Sequence, residues 1–262
     1  MRAATLSALA DRLDPPQPPS AVDLMMAAGM TPDPWQQEVL TSSSPMLLLC
    51  CRQSGKSTTT AALALNVAVS EPGALVLLLS PSQRQSGELF KKVLAFMRSQ
   101  PKPVALQGES ALSLSLANGS RIVALPGAEG TVRGFSGVRL LVIDEAARVD
   151  DGLYRAVRPM LAVSGGRLIA MSTPRGMRGW FHQEWTQGGD AWRRIKVTAD
   201  ECPRISPEFL EQERASLGDW WFRQEYGCDF VDNASQFFTT DEVEAALSDE
   251  IEPLFPIGGG RP

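Results

Sequence analysis

The segment Met46-Leu-Leu-Leu-Cys-Cys-Arg-Gln-Ser-Gly-Lys-Ser57 restricts the possible folds of this chain more than any other part of it. Its first residues form an apolar run without a polar break, the pattern of a strand buried on both faces. A short loop follows, and then a run that predicts a helix over Lys56–Val69. The ending Gly55-Lys56-Ser57 fills the last three positions of the phosphate-binding pattern GxxxxGK[ST]. The chemistry requires those residue types. Gly55 lets backbone N–H groups turn toward an anion, Lys56 neutralises β and γ oxygens, and the Ser57 hydroxyl ligates Mg²⁺. The open end of the following helix points its unpaired N–H groups at the same place. Arg52, Gln53, Ser54, Gly55, Lys56, Ser57 and Thr58 are therefore expected contacts of a bound ATP or GTP. Cys50 stands where the pattern has its first glycine, and a small residue is tolerated there if its φ is negative.

From Met46 onward, strand-like runs (Met46–Cys50, Ala74–Ser80, Ile122–Leu125, Leu140–Ile143, Leu168–Met171) alternate with helix-like ones (Gln85–Arg98, Gly152–Leu161, Trp180–Thr186). That alternation predicts an α/β fold with a mostly parallel sheet and helices on both faces. Asn118–Gly119 between two alternating segments predicts a type I′ hairpin. The Pro-rich start reads as an arm or linker over residues 1–33 that includes a short helical segment at Ala21–Gly29, followed by a core over 34–190. Acidic helical stretches then form a small subdomain over 191–250, and residues 251–262 read as a tail.

Leu140-Leu-Val-Ile-Asp-Glu145 is an apolar strand ending in two carboxylates. Asp144 is placed to hold the Mg²⁺ shell, and Glu145 to polarise an attacking water. The strand Leu168–Met171 runs into Ser172-Thr173-Pro174-Arg175-Gly176, where Ser172 and Thr173 could sense a γ-phosphate or simply form a turn. Upstream, Gln36 could read an adenine edge while Trp35 stacks nearby; equally, Trp35 could be a core residue at a helix start. Transition-state charge calls for an arginine, with Arg52 and Arg133 as candidates and solvated surface positions as the alternative.

His182 is the only histidine, which argues against His triads and His-ligated metal centres. Four cysteines without a CxxC pair read as reduced thiols. Net charge is −5 but uneven: residues 1–200 carry 21 Lys+Arg against 16 Asp+Glu, and residues 201–262 carry 4 against 14. Contact with a polyanion is thus expected to be local to the first 200 residues. No apolar run reaches the roughly 18 residues that span a bilayer, and no basic-then-apolar leader opens the chain, so no membrane partner is expected.

Taken in order, Pro34-Trp35-Gln36, Cys51–Ser57, Arg133-Gly134, Leu141-Val-Ile-Asp-Glu-Ala-Ala147 and Met171-Ser-Thr-Pro-Arg-Gly176 resemble the large terminase subunit of tailed bacteriophages. Arg204–Arg214 and Trp221–Asp232 are similar to the lid subdomain and the connection after it. The resemblance implies an ASCE-type P-loop ATPase with a C-terminal lid subdomain, using ATP and Mg²⁺ to drive double-stranded DNA into procapsids. It implies a homo-oligomeric ring, a pentamer by expectation and a monomer when alone, working with portal protein and the small terminase subunit in the host cytoplasm. It also implies Gln36 as adenine reader, Lys56 and Ser57 as phosphate and Mg²⁺ ligands, and Asp144 as metal ligand. Glu145 is then the catalytic base and Ser172–Thr173 the coupling motif. Arg133 is the implied finger in trans, with Arg139 in the same stretch as the alternative. Members of this family continue into an RNase H-like nuclease domain; this chain stops at Pro262, so no nuclease activity is expected of it. A different helicase-like ATPase and a non-motor nucleotide switch are the competing readings.

Overall fold

A computed structural model of the chain describes residues 18–102, 104–127, 129–132 and 134–231. Arg133, the arm before Pro18, the end of the connection and the tail lie outside the described residues. Eight strands form one sheet: β1 (Met46–Cys50), β2 (Leu75–Ser80), β3 (Leu106–Glu109), β4 (Ser113–Leu116), β5 (Arg121–Pro126), β6 (Val138–Asp144), β7 (Arg167–Ser172) and β8 (Arg193–Val197), in the order β3-β4-β5-β2-β6-β7-β1-β8. From β5 to β8 every neighbouring pair is parallel. The runs of β1 and β2, apolar except for Ser80, are buried at every position, as sandwiching by helices on both faces demands.

The helices are α1 (Ala21–Ala27), α2 (Pro34–Thr41), α3 (Lys56–Ser70), α4 (Gln83–Ser99), α5 (Glu129–Val132), α6 (Asp151–Val157), α7 (Gly179–Gln187), α8 (Pro207–Leu217) and α9 (Asp219–Glu225). The connections from β1 to β2 and on to β5 run one way across the sheet, and those through β6, β7 and β8 run back. With right-handed crossovers, α3 and α4 therefore cover one face and α5 to α7 the other. Helix α3 is apolar almost all round, with Ala61, Ala62, Leu63, Ala64 and Leu65 all buried, because α1, α2 and α4 pack over its outer side.

Three expectations change. The sheet does not end with β7: β8 lies parallel beside β1, so the core extends past residue 190. The arm expected over 1–33 is part of the body from α1 onward, since Ala21, Leu24 and Met25 are buried and a Ser20–Asp23 capping box starts the helix. The hairpin at Asn118–Gly119 is present, but only Gly119 has positive φ, at +85°, so the turn is not type I′. Gly119 N–H donates to the Leu116 carbonyl, and Leu116 N–H to the Ser120 carbonyl, as in a type I turn followed by a left-handed glycine. Asn118 instead spends its side-chain amide on the carbonyl of Ala68 at 2.9 Å, closing the C-terminal end of α3.

Candidate active site

The carboxyl ends of β6, β7 and β1 stand level, with Leu49 opposite Ser172 and Asp144 opposite Met171. The loop after β1 is held from two sides. Cys51 N–H donates to the Val197 carbonyl at 2.9 Å, and Arg52 N–H to the Glu225 carbonyl at 3.3 Å. Gln53 and Gly55 then take left-handed φ values of +59° and +97°. Gly55 is required: a Cβ there would sit 2.7 Å from Nε2 of Gln36. Lys56, Ser57 and Thr58 form the first turn of α3, so their N–H groups have no carbonyl of that helix to meet.

Ser57 Oγ donates to Oδ2 of Asp144 at 3.1 Å, and the N–H of Glu145 donates to Oδ1 at 2.9 Å. Burial raises the Asp144 carboxyl above the usual aspartate range, with nearby Lys56 pulling the other way. Glu145 has φ +52°, which turns the chain sharply at the strand end. One of its oxygens lies 4.0 Å from Lys56 Nζ, and the other accepts from Arg148 Nη1 at 2.7 Å. Ser172 Oγ accepts from Ala147 N–H at 3.2 Å, and Thr173 Oγ1 from Arg148 Nη1 at 3.3 Å, so the end of β7 is fastened to the turn after Glu145. A cavity of about 510 Å³ opens beside Ser57, Asp144 and Glu145, walled by Arg84, Gln85, Glu88 and Lys92 of α4.

The structure thus brings Lys56, Ser57, Asp144, Glu145, Ser172 and Thr173 to one point. The remaining candidates are placed differently. Gln36 is buried, and its Oε1 is taken by the N–H of Asp33 at 2.8 Å, leaving Nε2 over Gly55. Trp35 packs against the core, its indole N–H enclosed with no hydrogen-bond partner among the described residues. Arg52 is turned to Glu225, with Nε to Oε2 at 2.5 Å. Arg139 pairs with Glu71 near the start of β6, five residues and about 16 Å of strand before Asp144.

Three residues of the site were not singled out from the sequence as site residues. Arg204 grips Asp33 with two hydrogen bonds, of 2.7 and 3.1 Å, and donates to the Ser54 carbonyl at 2.9 Å. Glu225, 5 % exposed, meets both Arg52 and Arg148. Arg148 could have been found from its spacing, since three residues after Glu145 is the pairing distance of a helical turn.

The family model "Terminase large subunit, T4likevirus-type, N-terminal" matches residues 47–245, most of the chain. The chain belongs to the terminase large-subunit family. The large terminase subunit of Escherichia phage T5 is 26% identical over 177 residues, covering 65% of this chain and 40% of that protein. That of Thermus phage G20c is 25% identical over 206 residues, again 65% of this chain and 42% of its own length. This terminase chain therefore spans about two-fifths of the length of the curated relatives it matches. Among solved structures, the large terminase ATPase domain of Thermus phage P74-26 superposes with TM-score 0.67 at 22% identity, covering 79% of this chain and 97% of that one. The large terminase of a thermophilic bacteriophage, solved in complex with ADP, superposes with TM-score 0.64 at 14% identity, covering 75% and 53%. These likenesses establish the fold, the α/β architecture with a mostly parallel sheet that the strand pattern predicts and that the resemblance to large terminases implies.

Proposed function

We propose that this terminase chain binds and hydrolyses ATP with Mg²⁺, and is the motor part of a machine that drives double-stranded DNA into a viral procapsid. One observation carries the reading: Lys56, Ser57, Asp144 and Glu145, from two separate strand ends, converge within hydrogen-bond and ion-pair distance. The loop keeps its course only with glycine at position 55, where φ is +97° and Gln36 Nε2 lies where a Cβ would go, and that course leaves the first N–H groups of α3 free for a polyphosphate. The Ser57 hydroxyl and the Asp144 carboxylate are hard oxygen donors of the kind Mg²⁺ takes, and a carboxylate whose burial disfavours its charge gains from a cation beside it. Bound Mg²⁺ would supply charge to the phosphate oxygens.

The protein's own groups divide the remaining work. Lys56 and the first N–H groups of α3 hold the phosphates, and Arg204 braces the loop through the Ser54 carbonyl. Glu145 takes the proton of the attacking water. Ser172 and Thr173 tie the end of β7 to the turn carrying that base, giving a path from phosphate to sheet. Gln36 positions the loop in this scheme, through Asp33 and Gly55, as well as facing the base of the nucleotide. The acidic helices α8 and α9 serve as the lid. The relative from the thermophilic bacteriophage was solved with ADP and with ATP-gamma-S, which is consistent with a nucleotide here. The portal, the small terminase subunit and further copies of this chain in a ring are the proposed partners, in the host cytoplasm. The test is ATP turnover by the chain with and without double-stranded DNA and portal rings. Turnover that rises with both is expected; no Mg²⁺-dependent turnover under any of these conditions would refute the reading.

A further inference from the structure

Arg148 has no part in the chemistry assigned above, yet it touches three of its components. Its Nη1 donates to Glu145 Oε2 at 2.7 Å and to Thr173 Oγ1 at 3.3 Å, and its Nη2 lies 3.8 Å from Glu225 Oε1. These partners come from the end of β6, the end of β7 and the C-terminus of α9, which the chain brings together only in the folded state. The local backbone explains the first contact. Glu145 caps the tight turn Ala146–Arg148 in a left-handed conformation, and Arg148 N–H donates to the Glu145 carbonyl at 2.8 Å. That turn carries the guanidinium back onto the carboxylate three residues earlier.

The two oxygens of Glu145 are held by different cations, Lys56 at 4.0 Å and Arg148 at 2.7 Å. In the proposed reaction Lys56 is engaged by phosphate, so Arg148 is the cation left to fix the carboxylate. A planar guanidinium presents its donors in a rigid fork on separate nitrogens, so it can hold a carboxylate, a hydroxyl and a second carboxylate in fixed directions, whereas an ammonium is a single rotatable point. The pair is also set back from solvent, with side chains 28% and 24% exposed, unlike the surface pairs of this protein such as Lys91–Glu88.

We propose that Arg148 is a positioning residue for hydrolysis, aiming the Glu145 carboxylate and tying its orientation to Thr173 and to Glu225 of α9. The inference rests on the reading of Glu145 as the base. Steady-state kinetics of the full chain with Mg²⁺, ATP and double-stranded DNA would compare wild type, Arg148→Ala, Arg148→Lys, Glu145→Gln and the double variant Arg148→Ala/Glu145→Gln, with thermal melts alongside. Arg148→Ala should lower kcat by ~10–10²-fold while KM stays within ~3-fold, the signature of a misplaced group rather than of lost binding. Arg148→Lys should recover part of kcat, and the double variant should be no slower than Glu145→Gln alone. If kcat stays within ~2-fold of wild type, if the loss sits in KM, or if the two losses multiply, the inference is overturned. Should the alanine variant fail to fold, the lysine variant carries the test: reduced kcat at kept KM supports the role, and wild-type kinetics oppose it. Silent Arg148 variants beside a dead Glu145→Gln sink this inference alone, whereas an active Glu145→Gln removes the reading of the base and this inference with it.

Discussion

Replacing Gly55 with alanine perturbs the loop at its tightest point. The native φ is +97°, and holding alanine in left-handed backbone costs about 1–2 kcal/mol. The new methyl would also lie 2.7 Å from Gln36 Nε2. That amide is not free to swing away, because Oε1 of the same side chain caps α2 through the Asp33 N–H. Displacing it adds the loss of one cap, about 1 kcal/mol. The sum, about 2–3 kcal/mol, corresponds to a fall in Tm of roughly 4–12 °C for a chain of this size. ATP affinity should fall at least ~10-fold, since the loop N–H groups would no longer converge. Denaturant titration gives the stability change, and fluorescent-nucleotide titration the affinity. Adding Gln36→Ala in the Gly55→Ala background removes the clash but also the Gln36 cap on the Asp33 N–H, and leaves the backbone strain, so it should restore none of the lost stability. A Gly55→Ala protein with unchanged Tm and unchanged affinity would refute both the φ argument and the phosphate assignment of the loop.

Arg204→Ala removes the hydrogen bonds that join Asp33 to the Ser54 carbonyl. Because the Arg204 side chain is about half exposed, the stability loss should stay near ~1 kcal/mol, while KM for ATP rises ~3–10-fold and kcat changes little; kinetics with the loss in kcat instead would count against the bracing role. Burial pushes the Cys228 thiol up to about 12 from an ordinary 9.0. At pH 8 its thiolate fraction is then ~10⁻⁴ rather than ~10⁻¹, so iodoacetamide should label it ~10³-fold more slowly in the folded protein than after denaturation, as peptide mass spectrometry can follow. Because the raised value belongs to the folded state, this thiol favours folding less as pH climbs from about 9 toward 12, and has no such effect below 9.

The parts of the fold that could be read from sequence are those where burial writes a continuous pattern. Strands β1 and β2 are apolar at nearly every position because both faces are covered, and β6 and β7 end in polar residues because their carboxyl ends line the site. Strand β8, Arg-Arg-Ile-Lys-Val, hides only Ile195 and Val197, since a sheet edge leaves the intervening residues to solvent; β3 hides none. Helix α1 was legible as a short helical segment, but the prolines before it hid its packing into the body, where Leu24 and Met25 are buried. The same division holds at the site. The Ser57–Asp144 pairing follows from two motifs with fixed chemistry. The Glu145–Arg148–Glu225–Arg52 chain of charges leaves no period in the sequence, because its last link joins residues 173 positions apart. Gln36 shows a mixed outcome, its capping bond to Asp33 being foreseeable from spacing and its seat over Gly55 not.

In the proposed function, Asp144 and Glu145 make this terminase chain a hydrolysing site and not merely a nucleotide-binding one. The most direct measurement pairs ATP binding with Mg²⁺-dependent turnover in wild type and Glu145→Gln, on the same preparations. Equal binding is expected, with turnover at least ~10²-fold slower in the variant, the scale of a lost general base. Wild-type turnover by Glu145→Gln would contradict the hydrolysing role.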